Sequence, residues 1–186
     1  MLSVIIATLD SERALLPTLT VLVPGAMDGL VSEVIVADGG SRDDTAAIAD
    51  VAGCNFVVVE GALGLRLKTA AASARAPWLL FLRPGTVLDA AWMGDTRRFV
   101  EQAALAADAA AVFGRNASGQ PALRRAIRSV AAALGAPPLP EQGLLIAHRF
   151  YDALDGHSDR SPDPERDLAR RIGRRRIARL ASRASG

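Results

Sequence analysis

Cysteine, aromatic residues and lysine are all scarce in this chain of 186 residues. The single cysteine, Cys54, excludes a disulfide framework and a cysteine-based metal cluster. Aromatic residues make up only 4% of the chain, and none interrupts the arginine-rich stretch at residues 160–183. A surface that stacks nucleic-acid bases needs aromatic side chains among its cations. We therefore expect no nucleic-acid partner.

Long hydrophobic runs are missing as well. The apolar stretches fall short of the roughly 18 residues that a membrane span needs. The first ten residues, MLSVIIATLD, lack the basic start of a secretory signal. We expect a cytoplasmic protein, whose only contact with lipid would be a peripheral one at the inner face of a membrane. That contact would use the basic residues 160–183, whose alternative interpretation is a solvated helix face followed by a strand.

Glycine-rich phosphate loops are a third absence. The first predicted strand, residues 2–8, is followed by Leu-Asp-Ser-Glu rather than by G-x-G-x-x-G, which argues against a Rossmann oxidoreductase. No P-loop sequence occurs either. Nucleotide recognition, if present, must use another arrangement.

Strand and helix patterns alternate along the first half of the chain. Apolar runs predict buried strands at residues 2–8, 32–38, 55–60 and 77–82, with helices between them. Pro24-Gly25 is predicted to end the first helix, and Ser41 to cap the second. The later half predicts helices at 89–108, 119–135, 149–156 and 161–173, and strands at 110–115, 143–149 and 174–182. This order predicts an α/β fold, with a mostly parallel central sheet and helices on both faces.

Ligands of open α/β sheets bind beyond the carboxyl ends of the strands. At the end of the second strand stand Asp38, Gly39 and Gly40. A carboxylate there suits hydrogen bonding to a base or ribose, and the glycines allow close backbone approach to a ligand. An ordinary turn with a capping aspartate is the alternative.

Two motifs at a characteristic separation, SVIIATLDSERALLPTL and EVIVADGGSRDDT, resemble the N-terminal half of family 2 glycosyltransferases. APWLLFLRPGT resembles the strand that runs into that family's Asp-x-Asp motif. PEQGLLIAHRFYDALDGHSD and DPERDLARRI resemble its acceptor-side segment and its Glu-Asp helix. The resemblance covers residues 2–180, closest to the short soluble branch of the family. It implies a GT-A-like three-layer sandwich in a single domain, residues 1–186.

The resemblance also implies a set of site residues. Residues 1–88 would bind a nucleoside-diphosphate sugar, and residues 89–186 would bind the acceptor and carry the basic tail. Glu165, or Asp163 beside it, would deprotonate the acceptor hydroxyl. The implied nucleotide-binding residues are Thr8, Asp10, Glu12, Asp38, Gly39, Gly40, Arg66 and Lys68, and the implied acceptor-side residues are Glu141 and Gln142.

The sequence departs from the family where the Asp-x-Asp motif should stand. Arg83 and Gly85 occupy the two aspartate positions. Neither side chain ligates a divalent metal, and arginine is a cation at any relevant pH. We therefore expect no metal cofactor and predict that Arg83 meets the diphosphate through its bidentate fork. The alternative is a type II turn at Pro84-Gly85 with Arg83 pointing into solvent.

Several functions stay open at this point. The chain is predicted to be an inverting, metal-independent glycosyltransferase, or an inactive nucleotide-binding or scaffolding relative of that family. A module that binds anionic lipid or a partner through its basic tail, and an unrelated protein on a similar sheet, are the other hypotheses. His148 follows an apolar strand and His157 is predicted to lie in a polar loop, so neither is expected to be catalytic. The sugar, base, acceptor and oligomeric state stay open.

Overall fold

The computed structural model describes residues 1–103, 108–115 and 142–185. Glu141 and the helix predicted at 119–135 lie outside the described residues. The strands are β1 (Leu2–Thr8), β2 (Val31–Asp38), β3 (Asn55–Val58), β4 (Trp78–Leu82), β5 (Val87–Leu88), β6 (Ala110–Arg115), β7 (Leu144–Ala147) and β8 (Ile177–Ser185). The α-helices are α1 (Glu12–Met27), α2 (Thr45–Val51), α3 (Leu63–Ser73), α4 (Trp92–Ala103), α5 (His148–Ala153) and α6 (Pro164–Ile172), and a 3₁₀ turn, Arg174–Arg176, precedes β8.

The strands form one sheet in the order β3-β2-β1-β4-β7-β6-β8-β5. The first four strands are parallel, β7 is antiparallel to both of its neighbours, and β8 is parallel to β6 and antiparallel to β5. The predicted α/β class with a mostly parallel sheet is confirmed. From β1 the chain adds β2 and β3 on one side of the sheet, and it then adds β4 on the other side of β1. The position between β1 and β4 is therefore the switch point in strand order, where such sheets bind ligands.

The two central strands are apolar because both of their faces are covered. All five residues of β4 are buried, and so are all but one of the residues of β1. Parallel strands covered on both faces typically read as continuous runs of Val, Ile and Leu, as these two do. The rigid centre of the sheet therefore ends at Thr8 and Leu82, next to the switch point.

Two predicted helix boundaries are wrong for identifiable reasons. Helix α1 does not end at Pro24-Gly25 but continues to Met27. Gly25 packs on Trp92, since a Cβ at Gly25 would lie 2.7 Å from the indole ring. The cap of α2 is Asp44 rather than Ser41, because the Ser41 hydroxyl is bonded to Asp38. In both cases a tertiary contact overrides the local signal.

Register places the expected site residues at one edge of the sheet. Thr8 is paired with Asp38, and Ile6 is paired with Leu82, so Arg83 follows β4 at the same edge. Asp38 and Arg83 are two strands apart, which corresponds to about 10 Å at ordinary strand spacing. None of the helices in the described part of the chain is both long and apolar enough to cross a membrane.

Candidate functional site at the carboxyl edge of the sheet

The Asp38 carboxylate is saturated by hydrogen bonds from its own chain. Oδ1 accepts from the hydroxyls of Thr8, at 2.7 Å, and Ser41. Oδ2 accepts from the backbone N–H groups of Gly40, at 2.8 Å, and Ser41, at 2.7 Å. Burial would raise the pKa of Asp38, but these hydrogen bonds outweigh it and hold the pKa below the ordinary value. An ionised carboxylate has about four acceptor positions, so Asp38 fixes the shape of the loop at 39–41.

Asp10 and Glu12 join the loop after β1 to the loop after β2. Oδ1 of Asp10 accepts from the backbone N–H of Arg42 at 2.8 Å. Oε2 of Glu12 accepts from the N–H of Asp44 at 3.2 Å, while the Glu12 N–H donates to Asp43 at 2.9 Å. Asp10 has a φ of 46°, in the left-handed region, where Asp is tolerated better than most residues. The two predicted nucleotide-binding loops therefore form one connected unit.

Arg66 reaches this unit from α3, whereas Lys68 does not. The Arg66 guanidinium lies across Gly39 and donates to the carbonyl of Thr8. A Cβ at Gly39 would lie 2.7 Å from Nη1 of Arg66, so any larger residue there would make the guanidinium move. Nε of Arg66 is buried without a hydrogen-bond partner in the described part of the chain. Lys68 instead forms a salt bridge of 2.7 Å with Asp155.

The turn after β4 is held at both ends. The N–H of Thr86 donates to the carbonyl of Arg83 at 3.0 Å. Gly85 has a φ of 92°, which identifies the turn as type II. The N–H of Gly85 also donates to the carbonyl of Ala14 in the first turns of α1, at 2.8 Å. The predicted turn is confirmed, and its backbone is fixed beside the switch point.

Arg83 is half-exposed at this turn, but its guanidinium is paired with Glu165 rather than surrounded by solvent alone. Its Nε lies 3.2 Å and 3.0 Å from the two carboxylate oxygens of Glu165, and its Nη2 also donates to Glu165. The Arg83 side chain is 43% exposed and that of Glu165 is 17% exposed. Asp163, the other candidate base, caps α6 by accepting from the N–H of Arg166 at 3.1 Å. Two of the three predicted catalytic residues are thus bonded to each other.

The residues at this edge do not fit a divalent metal. No cluster of three or more His, Cys, Asp or Glu side chains suited to a metal ion occurs within residues 1–103, 108–115 and 142–185. At the turn, Arg83 brings a cation and Gly85 brings no side chain. The carboxylate beside the turn, that of Glu165, is bonded to Arg83. A divalent metal ion such as Mg²⁺ needs several oxygen ligands in a fixed geometry.

The burial of His157 was not predicted from the sequence. His157 lies in the loop after α5, as predicted, but it is only 1% exposed, and its ring packs edge-on against Phe81 with centroids 4.8 Å apart. Nδ1 lies 3.0 Å from the Tyr151 hydroxyl, which also accepts from the His157 N–H at 3.1 Å. Burial, with the nearby charge of Arg171, lowers the pKa of His157 to about 3. His157 is therefore a neutral, buried residue within the segment that leads to α6.

The acceptor-side predictions are only partly accessible. Gln142 is buried, and its Nε2 donates to the carbonyl of Phe113 at 2.8 Å. This bond joins the start of β7 to β6. Glu141 lies outside the described residues, so its predicted role stays a prediction.

A group of exposed arginines lies at the other edge of the sheet. We call Arg149, Arg174, Arg175 and Arg176 the basic cluster; all four are exposed. Ala147, two residues before Arg149, is paired with the first residue of β4, and Ile177, which follows Arg176, is paired with the first residue of β6. Arg176 forms a salt bridge of 3.0 Å with Asp108 and lies over the ring of Phe150. The basic cluster is therefore separated from Asp38 and Arg83 by the length of the sheet.

Comparisons with known proteins identify the architecture. No protein-family model and no curated protein sequence matches the chain. Glucosyl-3-phosphoglycerate synthase from Mycobacterium tuberculosis, in complex with Mn²⁺, UDP and glucosyl-3-phosphoglycerate, matches 100% of this chain over 72% of its own, with a TM-score of 0.62 and 17% identity. S. aureus TarS 1–349 in complex with UDP-GlcNAc matches 97% of this chain over 56% of its own, with a TM-score of 0.71 and 17% identity. The chain thus has the fold of GT-A glycosyltransferases, and it spans little more than half of the TarS fragment.

Proposed function

We propose that this chain is a family 2-type glycosyltransferase that transfers a sugar from a nucleoside-diphosphate donor to an acceptor hydroxyl, with inversion and without a divalent metal. The observation that carries the proposal is the convergence of two cross-linked loops, Arg66 and Arg83 at the switch-point edge of the sheet. The structural neighbours that contain UDP or UDP-GlcNAc support a nucleotide-sugar donor. We assign residues 1–88 to the donor and residues 89–186 to the acceptor.

Donor binding would use the two loops and the two arginines. The nucleoside would lie against the loops shaped by Asp38 and by Asp10, with Thr8 and Glu12 behind them. Arg66, which lies across Gly39, supplies a cation beside the loop that follows β2. The diphosphate would then extend toward the turn at 83–86, where Arg83 supplies the charge that a metal supplies elsewhere.

The chemical step needs one base and one leaving group. The acceptor oxygen would attack the anomeric carbon from the face opposite the diphosphate. A new carbon–oxygen bond forms as the bond to the diphosphate oxygen breaks, and the electron pair leaves with the diphosphate. The hydroxyl proton would pass to the carboxylate of Glu165. One charge-assisted bond from Arg83 contributes about 1.5–3 kcal/mol, so Arg66 must share the stabilisation of the leaving group.

A nucleotide-binding relative without transferase activity is the second candidate. The bond between Arg83 and Glu165 favours it, because it ties the carboxylate that would act as the base to the arginine that would hold the diphosphate. Such a protein would bind nucleoside diphosphate and its sugar without turnover.

The experiment that separates these two functions combines binding with turnover. Calorimetry of the purified protein against UDP, other nucleoside diphosphates and their sugars, with Mn²⁺ and with EDTA, tests the donor and the metal. Hydrolysis or transfer of a labelled sugar tests activity. Saturable binding and turnover that EDTA leaves unchanged would support the proposal, and binding without turnover would favour the second candidate. Absence of binding to the whole panel would overturn both.

The basic cluster suggests a cytoplasmic protein that contacts an anionic membrane surface peripherally. Its place at the edge opposite Arg83 would leave the candidate site open to solution while the arginines face lipid. Each basic residue near an anionic surface contributes about 1 kcal/mol, and salt screens the attraction. Co-sedimentation with phosphatidylserine vesicles at low and high salt, with Arg174→Glu/Arg175→Glu as the matched variant, tests this contact. Binding that neither salt nor the substitutions reduce would contradict it.

A further inference from the structure

The Glu165 carboxylate occupies the place on Arg83 that an anionic ligand would take. A guanidinium presents its N–H groups as a planar fork that fits a carboxylate and a phosphate in the same way. Both oxygens of Glu165 lie within 3.2 Å of Nε of Arg83, and Nη2 bonds to one of them as well. The fork that faces the switch point is thus already filled by an anion from the chain.

We infer that Glu165 acts as a built-in competitor for Arg83, and that the diphosphate of the donor displaces it. This inference rests on the proposed function, because it requires a diphosphate at the turn. The exchange replaces one carboxylate by a diphosphate, which carries more negative charge. It gives Glu165 two states, one paired with Arg83 in the free protein and one released when the donor is bound.

The surroundings of the pair suit an exchange of side chains alone. The backbone of Arg83 is held by the turn, and Gly85 is bonded to Ala14, so the turn itself need not move. Arg83 is 43% exposed and Glu165 is 17% exposed, so the pair is only part-buried and solvent still screens it; displacing Glu165 should cost about fivefold in donor affinity. Rotamer changes of a half-exposed side chain such as that of Arg83 are fast.

Release leaves the Glu165 carboxylate beside the turn, where a base is needed. Glu165 lies in the first turn of α6, whose N-cap is Asp163. The positive end of the helix dipole favours a carboxylate there even after its arginine has gone. The released carboxylate can accept the acceptor's proton only once the donor is in place. The exchange therefore orders the reaction, with the donor binding before the acceptor is activated.

Substitution of Glu165 by its neutral isostere tests the exchange. Glu165→Gln should bind UDP about fivefold more tightly than the unmodified protein, while its affinity for uridine stays unchanged. The gain should be lost in the double variant Arg83→Gln/Glu165→Gln. Asp28→Asn is the matched control, because Asp28 pairs with the similarly exposed Arg97 near the end of α1, and it should change neither affinity.

The outcomes separate the inference from the function on which it rests. If the unmodified protein binds UDP but Glu165→Gln binds it equally or more weakly, the exchange is wrong and the proposed function stands. A weaker affinity for uridine as well would show that Glu165 only holds the site together. If neither protein binds UDP or inorganic pyrophosphate, the proposed function fails and the exchange with it.

A measurement on the unmodified protein guards against a variant that does not fold. The side-chain Nε–H resonance of Arg83, assigned by its loss in Arg83→Gln, should shift when UDP is added and not when uridine is added. A resonance unchanged at saturating UDP would overturn the exchange.

Discussion

Arg83 and Glu165 are 82 positions apart in the chain, yet Nε of Arg83 lies 3.0 Å and 3.2 Å from the two carboxylate oxygens of Glu165. Their opposite charges offset each other, so the pair that stands at the turn after β4 is neutral. A metal site with two aspartates would also be neutral once its divalent ion had bound. The chain reaches the same local charge with an arginine and a distant glutamate.

Arg83→Ala should remove most of the preference for UDP over uridine. The expected loss is about fivefold to tenfold in UDP affinity, since one partly exposed charge-assisted bond disappears. The remaining UDP affinity should also depend less on salt, because salt screens the attraction between arginine and a multiply charged anion. Calorimetry at two salt concentrations measures both effects, with Arg97→Ala as the control at equal exposure. An intact diphosphate preference would show that arginine has not replaced the metal.

Asp38→Asn should destabilise the fold and weaken uridine binding together. The amide nitrogen of asparagine cannot accept from the N–H groups of Gly40 and Ser41, so where it replaces Oδ2 these part-buried donors lose their acceptor. We expect the free energy of unfolding to fall by about 1.5–3 kcal/mol, measured in urea. Ser41→Ala, which removes one hydroxyl donor, should cost about 1 kcal/mol. Weaker uridine binding at unchanged stability would instead indicate direct contact between Asp38 and the nucleoside.

His157 should make stability fall in mild acid. Its pKa is about 3 in the fold against 6.5 ordinarily, so between these values the unfolded chain binds a proton that the folded chain does not. Stability is then lost as the pH drops below about 6.5, by up to about 1.4 kcal/mol per pH unit. His157→Gln should be less stable at neutral pH, with a difference that narrows toward pH of about 4.5. Parallel profiles of the two proteins in urea would contradict this assignment.

Gly64→Ala should be strongly destabilising. A Cβ at Gly64 would lie 1.9 Å from the carbonyl oxygen of Ser158, a backbone atom that cannot rotate away. Either α3 or the segment before α6 must shift, at a cost of about 2–3 kcal/mol. Gly94→Ala in α4 is the control, since its Cβ would meet nothing within 4 Å and should add about 0.5–1 kcal/mol of stability. Equal effects of the two substitutions in thermal unfolding would contradict the close packing at Gly64.

Local sequence patterns predicted the central sheet but not the contacts that decide the site. The runs that form β1, β2 and β4 are recognisable because burial on both faces leaves long apolar stretches. The partner of Arg83 lies far along the chain, and no pattern near either residue indicates the other. His157 has polar neighbours in the sequence, yet its ring packs against the rings of Phe81 and Tyr151. Its burial follows from packing across the sheet rather than from its sequence neighbours.

The predicted end of α1 and the predicted start of α2 are wrong for a related reason. Pro24-Gly25 is a strong stop signal in isolation, but α1 continues because Gly25 lets Trp92 approach its backbone. Ser41 is a good cap by composition, but its hydroxyl is used by Asp38. Propensity is a weak preference, and a buried contact between distant residues outweighs it. The stop signal at Pro24-Gly25 and the cap signal at Ser41 both predicted the wrong boundary because the chain forms such contacts there.

The short strand β5 has a consequence for how the site is assembled during folding. Val87 and Leu88 directly follow the turn that carries Arg83, and they pair with Ser185 and Ala184. This pairing closes a loop of nearly the whole second half of the chain, and contacts across such long loops form slowly. A nascent chain can build its central strands early, but the turn gains its last anchor only after β8 has docked. The fragment 1–88, synthesised alone, should therefore lack a fully ordered site.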